Sequence, residues 1–441
     1  MNRKTRIVLP LVLVLLLLGS NAWAQHGYGW EAGSGKTYDV ELDLPPGPPI
    51  FRMTSEDSLH GKPKYDYFML VKAKFNGVYD LEGGLQDQET FNVGKIDVWG
   101  NDNSNRYWTD MHQSQVRFRG QRETEGGTLV GYMEGDFWGG NKGYRLRHLW
   151  VDYKFVHFGQ DWTFFGDKGI WPNVLDWDGP PSGVWRREPE LKFYFTNDSH
   201  WQFDVGLGQP GAEVTLNIDP NSQVSKAYQP VPDFIGAVQK SGDFGHIRVT
   251  GIYRTLEYKV LDENQSEPGY GGTVSGFIQT SSVKTNPIQF QFYAGQGIAT
   301  YVVSFSGMNF DAAEDGLGNM KSIPTYGGWA AYEHFFTPKW HANIVGGFSN
   351  FSSHAITAFD IPGTDPNIHA TNTSIDLNHY YGLINIMYTP QPALTFAIEL
   401  NLGNKESKYE GDDIDTGSEH LTSLEQSRSA QRISFGLFFD F

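Results

Sequence analysis

Stretches in which apolar and polar side chains alternate recur along this 441-residue chain, joined in rotation by tight turns and long polar loops. The spacing predicts strands near 66–81, 112–123, 127–138, 144–153, 155–162, 188–196, 200–208, 231–240, 245–260, 270–281, 287–305, 324–336, 339–351, 378–388, 393–404 and 429–441. That makes sixteen, an even number that places both ends of the sheet on one side, and the seven short connections all follow even-numbered strands. Asn197-Asp198-Ser199, Thr337-Pro338 and Thr389-Pro390-Gln391-Pro392 are among them. Short turns on one side and long loops on the other are the pattern of a sheet that closes on itself inside a membrane. The expectation is an all-β fold: a 16-stranded antiparallel transmembrane β-barrel over residues 65–441, with periplasmic turns, extracellular loops and a long third loop at 163–187.

The N-terminus reads as an export signal. Arg3, Lys4 and Arg6 precede the apolar run Ile7 to Leu18, and Ala22-Trp23-Ala24 supplies the small residues of a cleavage site, so residues 1–24 are expected to be a signal peptide. That run is too short to cross a bilayer as a helix, and no later stretch is long and apolar enough. The Pro-rich segment 25–64 reads as a periplasmic N-terminal extension. Cysteine is absent, which excludes disulfides and thiol chemistry. The formal net charge is −17, and removing three basic residues with the signal gives −17 − 3 = −20, which disfavours a nucleic-acid partner.

Strand alternation assigns faces. Apolar residues of one parity meet lipid, so the opposite parity points into the lumen, where a charge avoids the roughly 2–4 kcal/mol that Arg or Lys costs on the lipid face at mid-depth. On the last strand Ile433, Phe435, Leu437, Phe439 and Phe441 share one face, Arg432, Ser434, Gly436 and Asp440 the other, and Phe438 breaks the pattern. Val116 and Phe118 send Arg117, Arg119 and Gln121 inward; Leu146 does the same for Arg145 and Arg147, although His148 and Leu149 blur that strand. Leu191, Phe193 and Phe195 assign Glu190, Lys192 and Tyr194 to the lumen, and Ile247 and Val249 assign Arg248. Glu134 and Asp136 share a parity, as do Asp204 and Glu399, while Asp161, Asp167, Asp176, Asp178 and Arg186 are placed on the third loop. A basic ladder on the wall opposed by loop acids would set a transverse field that selects solutes by charge.

The stretch from Tyr144 to Phe195 resembles the DcaP-like family of trimeric outer-membrane porins. The features that carry this are Arg145-Leu146-Arg147-His148, Gly159-Gln160-Asp161-Trp162-Thr163-Phe164-Phe165 with Asp167, Trp177-Asp178-Gly179-Pro180 and Arg187-Glu188-Pro189. The resemblance implies a homotrimer of 16-stranded barrels, a third loop folded inward, and uptake of small organic anions such as dicarboxylates. The C-terminal Phe441 looks like the signal read by the barrel-assembly machinery. The chain departs from the family in lacking an N-terminal coiled-coil heptad run, since Pro45, Pro46, Pro48 and Pro49 interrupt that region.

Other motifs carry less. Gly33-Ser34-Gly35-Lys36-Thr37 lacks the leading glycine and preceding strand of a phosphate loop. Asp413, Asp415 and Gly417 fall short of a calcium loop, no H-E-x-x-H is present among the thirteen histidines, and there is no Gly-x-Ser-x-Gly elbow. No cofactor, metal site or catalytic residue is expected. The sequence points to a passive diffusion channel of the cell outer membrane, set in lipid and lipopolysaccharide, for small hydrophilic solutes. An adhesion or surface-binding barrel that works through its long loops, and a barrel-borne lipid hydrolase, are the alternatives.

Overall fold

The computed structural model describes residues 51–441 apart from 86–89, 101–103, 216–223, 261–262, 281–285, 316, 318, 362–363, 365–367, 392 and 441. The expected signal peptide, most of the expected N-terminal extension, the glycine-lysine motif and Phe441 lie outside the described residues. Sixteen strands form the barrel. They are β1 (Tyr65–Glu82), β2 (Arg106–Asp110 continued by Gln115–Thr124), β3 (Gly127–Gly139), β4 (Gly143–Tyr153), β5 (Val156–Trp162), β6 (Arg187–Thr196), β7 (Trp201–Gly208) and β8 (Asp233–Gly242). They continue as β9 (Gly245–Val260), β10 (Glu263–Gln279), β11 (Pro287–Gln296), β12 (Pro324–Thr337), β13 (Trp340–Ser352), β14 (Ile368–Gln391), β15 (Leu394–Asp415) and β16 (His420–Asp440). Each pairs antiparallel with the next, and β16 pairs with β1, so no barrel edge is left open. Turns such as β8–β9 are tight enough to need Gly245 at φ 114°, where a side chain would collide with the Phe277 carbonyl.

The alternation of the sequence becomes two surfaces. Phe203, Val238, Val249, Val274 and Phe292 pair in a continuous outward row from β7 to β11, and each is exposed. One residue along, Asp204, Ala237, Thr250, Thr273 and Tyr293 form the matching inward row, all buried. Such an apolar exterior over a polar interior is the inverse of a soluble sandwich and fits strands bathed in hydrocarbon.

The apolar core lies inside the barrel rather than between sheets. The described residues of loops 83–105 and 297–323, together with loop 163–186, fold into the lumen, where Phe91, Phe165, Tyr301 and Phe305 are almost wholly buried. At about 1.5–3 kcal/mol for each large apolar side chain removed from water, this inner core holds the loops in place.

Several expected boundaries change for one physical reason. The strand predicted near 287–305 ends at Gln296, because the apolar run 298–305 packs inside the barrel mouth instead of extending the wall. β14 begins at Ile368 and β10 at Glu263, earlier than predicted. The expected loop 405–428 is the tip of a long hairpin, with β15 and β16 spanning 22 and 21 residues. Beyond the apolar slab an outward side chain meets water, so exposed Lys408 and Glu410 stand where the alternation would call for apolar residues. Part of the extension also has structure: Phe51–Thr54 pairs antiparallel with β1, opposite Asp66 to Met69.

Candidate functional site

The third loop decides where the barrel is open. It leaves β5 through Thr163-Phe164-Phe165-Gly166, where both phenylalanines are buried and a side chain at Gly166 would strike the Val184 carbonyl. Asp167 caps the short turn Lys168–Ile170, and Pro172, Pro180 and Pro181 prevent the segment from continuing as a ladder-bonded strand. The loop then crosses the lumen. Asn173 Nδ2 donates to Glu333 Oε1 at 2.8 Å, the Leu175 amide donates to Glu399 Oε2 at 2.6 Å, and the Val184 amide donates to Gln291 Oε1 at 2.7 Å. Trp177 stacks on Phe438 at 5.4 Å and 10°, with Lys74 over the Trp177 ring at 4.3 Å. Phe438, an apolar residue on the inward parity of β16, thus points inward to hold the loop.

With the loop fixed against β9–β16, a cavity of about 290 Å³, the candidate passage, lies beside the wall formed by β1–β5. Lys72, Arg117 and Arg147 reach it from the wall and Lys168 from the loop, against the acids Glu134 and Asp161. The charge of this lining is 4 − 2 = +2, in a chain of net charge −17. Trp150, Trp162, Trp171 and Trp177 complete it. Glu134 is the hub: Arg117 Nε lies 3.0 Å from Oε2, Arg147 Nε donates to Oε1 at 2.6 Å, and the Tyr132 hydroxyl donates to Oε2 at 2.6 Å. Asp136 takes Arg145 through two bonds of 3.0 and 2.6 Å and Arg147 through one of 3.1 Å.

A β-bulge explains the strand that the alternation could not assign. His148 pairs with Glu134 and Leu146 with Gly135, so Arg147 is the extra residue, and Arg147 and His148 both turn inward while Leu149 points out.

The expected opposition of loop acids to wall bases is not the arrangement found. Asp161 is on β5 rather than on the loop, and it bonds Lys168 at 2.7 Å. Asp176 accepts from the Phe91 amide and ties the third loop to the first, with Asp178 next to it donating its amide to Asp176 Oδ1. Arg186 holds the loop exit through Glu188, at 3.4 Å, and the Gly211 carbonyl. Arg248 is committed to Asp204, at 2.7 Å, and the Phe164 carbonyl. Lys192 is inward but buried near the Phe164 ring, and Arg119 sits one inward position closer to the periplasmic turn than Arg117. Of the residues singled out from sequence, Arg117, Arg147, Glu134 and Asp161 meet at the passage, with Arg145 and Asp136 adjoining. Lys72, Lys168 and the tryptophans were missed; Lys72 shares the inward parity of Lys74, Asn76 and Asp80, which is a readable signal.

Asp167 is the latch on the far side. Its Oδ2 bonds His246 Nε2 at 2.9 Å and accepts from Ser275 Oγ at 2.7 Å. Burial pushes its carboxyl up, but the charge and hydrogen bond of His246, with Arg248 behind, outweigh this and hold it well below the usual carboxylate range. A depressed folded value means that the latch is fully charged above the ordinary carboxylate range near pH 4 and is lost only as the pH falls through the lower value. Asp167 is therefore expected to stay ionised from neutral pH down to about pH 4, as the NMR shift of its side-chain carboxyl would report. Asp167→Asn, which removes the charge-assisted bonds at a cost of about 1–3 kcal/mol, is expected to raise conductance and its fluctuations at neutral pH.

No metal motif is present in the sequence, yet His157, Asp161 and Glu190 bring ligand-type atoms within 4.8 Å of one another on the β5–β6 wall.

No family model matches the chain, and no curated protein sequence matches it. Its fold is similar to the crystal structure of the outer membrane channel DcaP of Acinetobacter baumannii, at 15% identity and a TM-score of 0.65 over 88% of this chain and all (100%) of that one. It is also similar to an anion-selective porin from Comamonas acidovorans, at 10% identity and a TM-score of 0.50, covering 86% of this chain and 100% of the porin. The chain is a closed 16-stranded antiparallel barrel with its third loop folded inward, the architecture of the outer-membrane channels and porins.

Proposed function

We propose that this protein is an outer-membrane porin through which small hydrophilic solutes diffuse, with a preference for organic anions such as dicarboxylates. The observation that carries the reading is the passage between the β1–β5 wall and the third loop, whose lining is +2 although the chain as a whole is strongly acidic. A water-filled constriction with low-dielectric walls concentrates the field of its nearest charges, so local sign rather than net charge sets ion preference. Arg117 and Arg147 present planar donors suited to carboxylates. The names of the two similar structures, an outer membrane channel and an anion-selective porin, agree with this reading. Export by cleavage after Ala24, assembly through the C-terminal strand and a homotrimer belong to the same proposal.

The test is electrical. Purified protein in planar bilayers is expected to give discrete conductance steps and, under a salt gradient, a reversal potential of the sign that marks anion preference. Liposome swelling should be faster with dicarboxylates than with cationic amino acids of similar size. Absence of any conductance would remove the porin reading, and a cation-type reversal potential would remove the anion preference.

A further inference from the structure

The β5–β6 wall beside the passage carries a second constellation. His157 and Asp161 are four residues apart on β5 and so share the inward face, and Glu190 of β6 pairs across from Gly159, midway between them. His157 Nδ1 lies 2.6 Å from Asp152 Oδ1, which fixes the proton on Nδ1 and leaves the lone pair of Nε2 facing the two carboxylates. Nε2 is 3.5 Å from Glu190 Oε1 and 3.7 Å from Asp161 Oδ2, both beyond hydrogen-bond reach. Nε2 and Glu190 Oε1 are buried and have no hydrogen-bond partner. Lys168 takes Asp161 Oδ2 and Lys192 stands across from His157 on β6, yet His157 Nε2 and Glu190 Oε1 still face each other as acceptors without a hydrogen bond, an arrangement that suits a cation between them.

We propose that His157, Asp161 and Glu190 form a binding site for a divalent transition-metal ion, with Zn²⁺ as the matching chemistry. One imidazole nitrogen and two carboxylate oxygens are a zinc ligand set that leaves a coordination position for water. Ligand bonds of about 2.0–2.2 Å separate tetrahedral donors by roughly 3.3 Å, so the two gaps from His157 Nε2 need to close by only a few tenths of an ångström, while the three ligand atoms, within 4.8 Å of one another, draw in further around the ion. The Asp152–His157 bond is the outer-shell carboxylate that orients a metal-bound histidine. Lys168, which bonds Asp161 Oδ2 at 2.7 Å, would be displaced by the ion. Asp161 also lines the passage, so on the porin reading a bound ion would neutralise one of its two acids.

Binding is tested without conduction, which separates failure of the site from failure of the porin reading. Detergent-purified barrel titrated with ZnCl2 by calorimetry at neutral pH is expected to take up one Zn²⁺ per chain. His157→Ala and Glu190→Gln should each abolish uptake, and Asp152→Asn should weaken it about 10–100-fold. His341→Ala, which removes an equally buried histidine bonded to a single carboxylate, Glu333, should leave it unchanged. Heat-modified electrophoretic mobility shows that each variant is folded. No uptake by the wild type would mean that a proton alone satisfies the cluster and would overturn the proposal, as would uptake that survives in folded His157→Ala.

Discussion

Arg117→Gln combined with Arg147→Gln is expected to abolish the anion preference, bringing the permeability ratio of chloride to potassium to about one. The two arginines are half of the four basic residues at the passage, so their loss takes the lining from +2 to 0. The double variant also strands Glu134, which is buried and receives both guanidinium groups. Breaking a buried pair from one side costs about 3–5 kcal/mol, so selectivity has to be separated from structural damage. Glu134→Gln does that. Alone it raises the lining to +3; added to the double variant it removes the stranded carboxylate and leaves +1. Reversal potentials should therefore rank Glu134→Gln first, then wild type, the triple variant and the double variant. A different order would show that the passage lining is not the filter.

The ranking rests on positions that were legible in the chain to different degrees. Arg117 is flanked by Val116 and Phe118 on a regular strand, so alternation alone sends it inward. Leu146 sends Arg147 inward, but the face of its neighbour His148 stayed open, because a bulge breaks the two-residue period there and alternation has no memory across an inserted residue. Lys72 was obscured for another reason: Phe68 and Leu70, on the same face of β1, are apolar and buried in the lumen, so the rule that apolar means lipid-facing fails next to it. Lys168 and Trp171 lie on a loop without a period, and only three-dimensional closure brings them opposite β2–β4. The same limit hid the proximity of His157 to Glu190, which depends on the register between β5 and β6. Barrel order and strand number were readable because each repeats over many residues, whereas the inward fold of the third loop followed only from the family resemblance. The site was only half readable because it combines single residues from five wall strands and one loop.

Val249→Arg is expected to prevent efficient insertion, because it places a charge in the outward apolar row. Val249 is 53% exposed and pairs with Val238 and Val274, themselves exposed, so no protein group is available there to receive a charge. It stands four residues beyond Gly245 at the start of β9. A rise of about 3.4 Å per residue and a tilt near 40° put it roughly 10 Å above the periplasmic turn, close to the middle of an apolar band about 25 Å tall. An arginine at that depth costs about 2–4 kcal/mol. The neighbouring Arg248 avoids this cost because it points the other way and bonds Asp204 at 2.7 Å. Refolding into phospholipid vesicles along a urea gradient should show a lower midpoint and a reduced folded fraction for Val249→Arg, with Val249→Leu matching the wild type. Equal folding of the Arg and Leu variants would mean that this row does not face hydrocarbon, and the inward assignment of Arg248 and its parity mates would lose its basis.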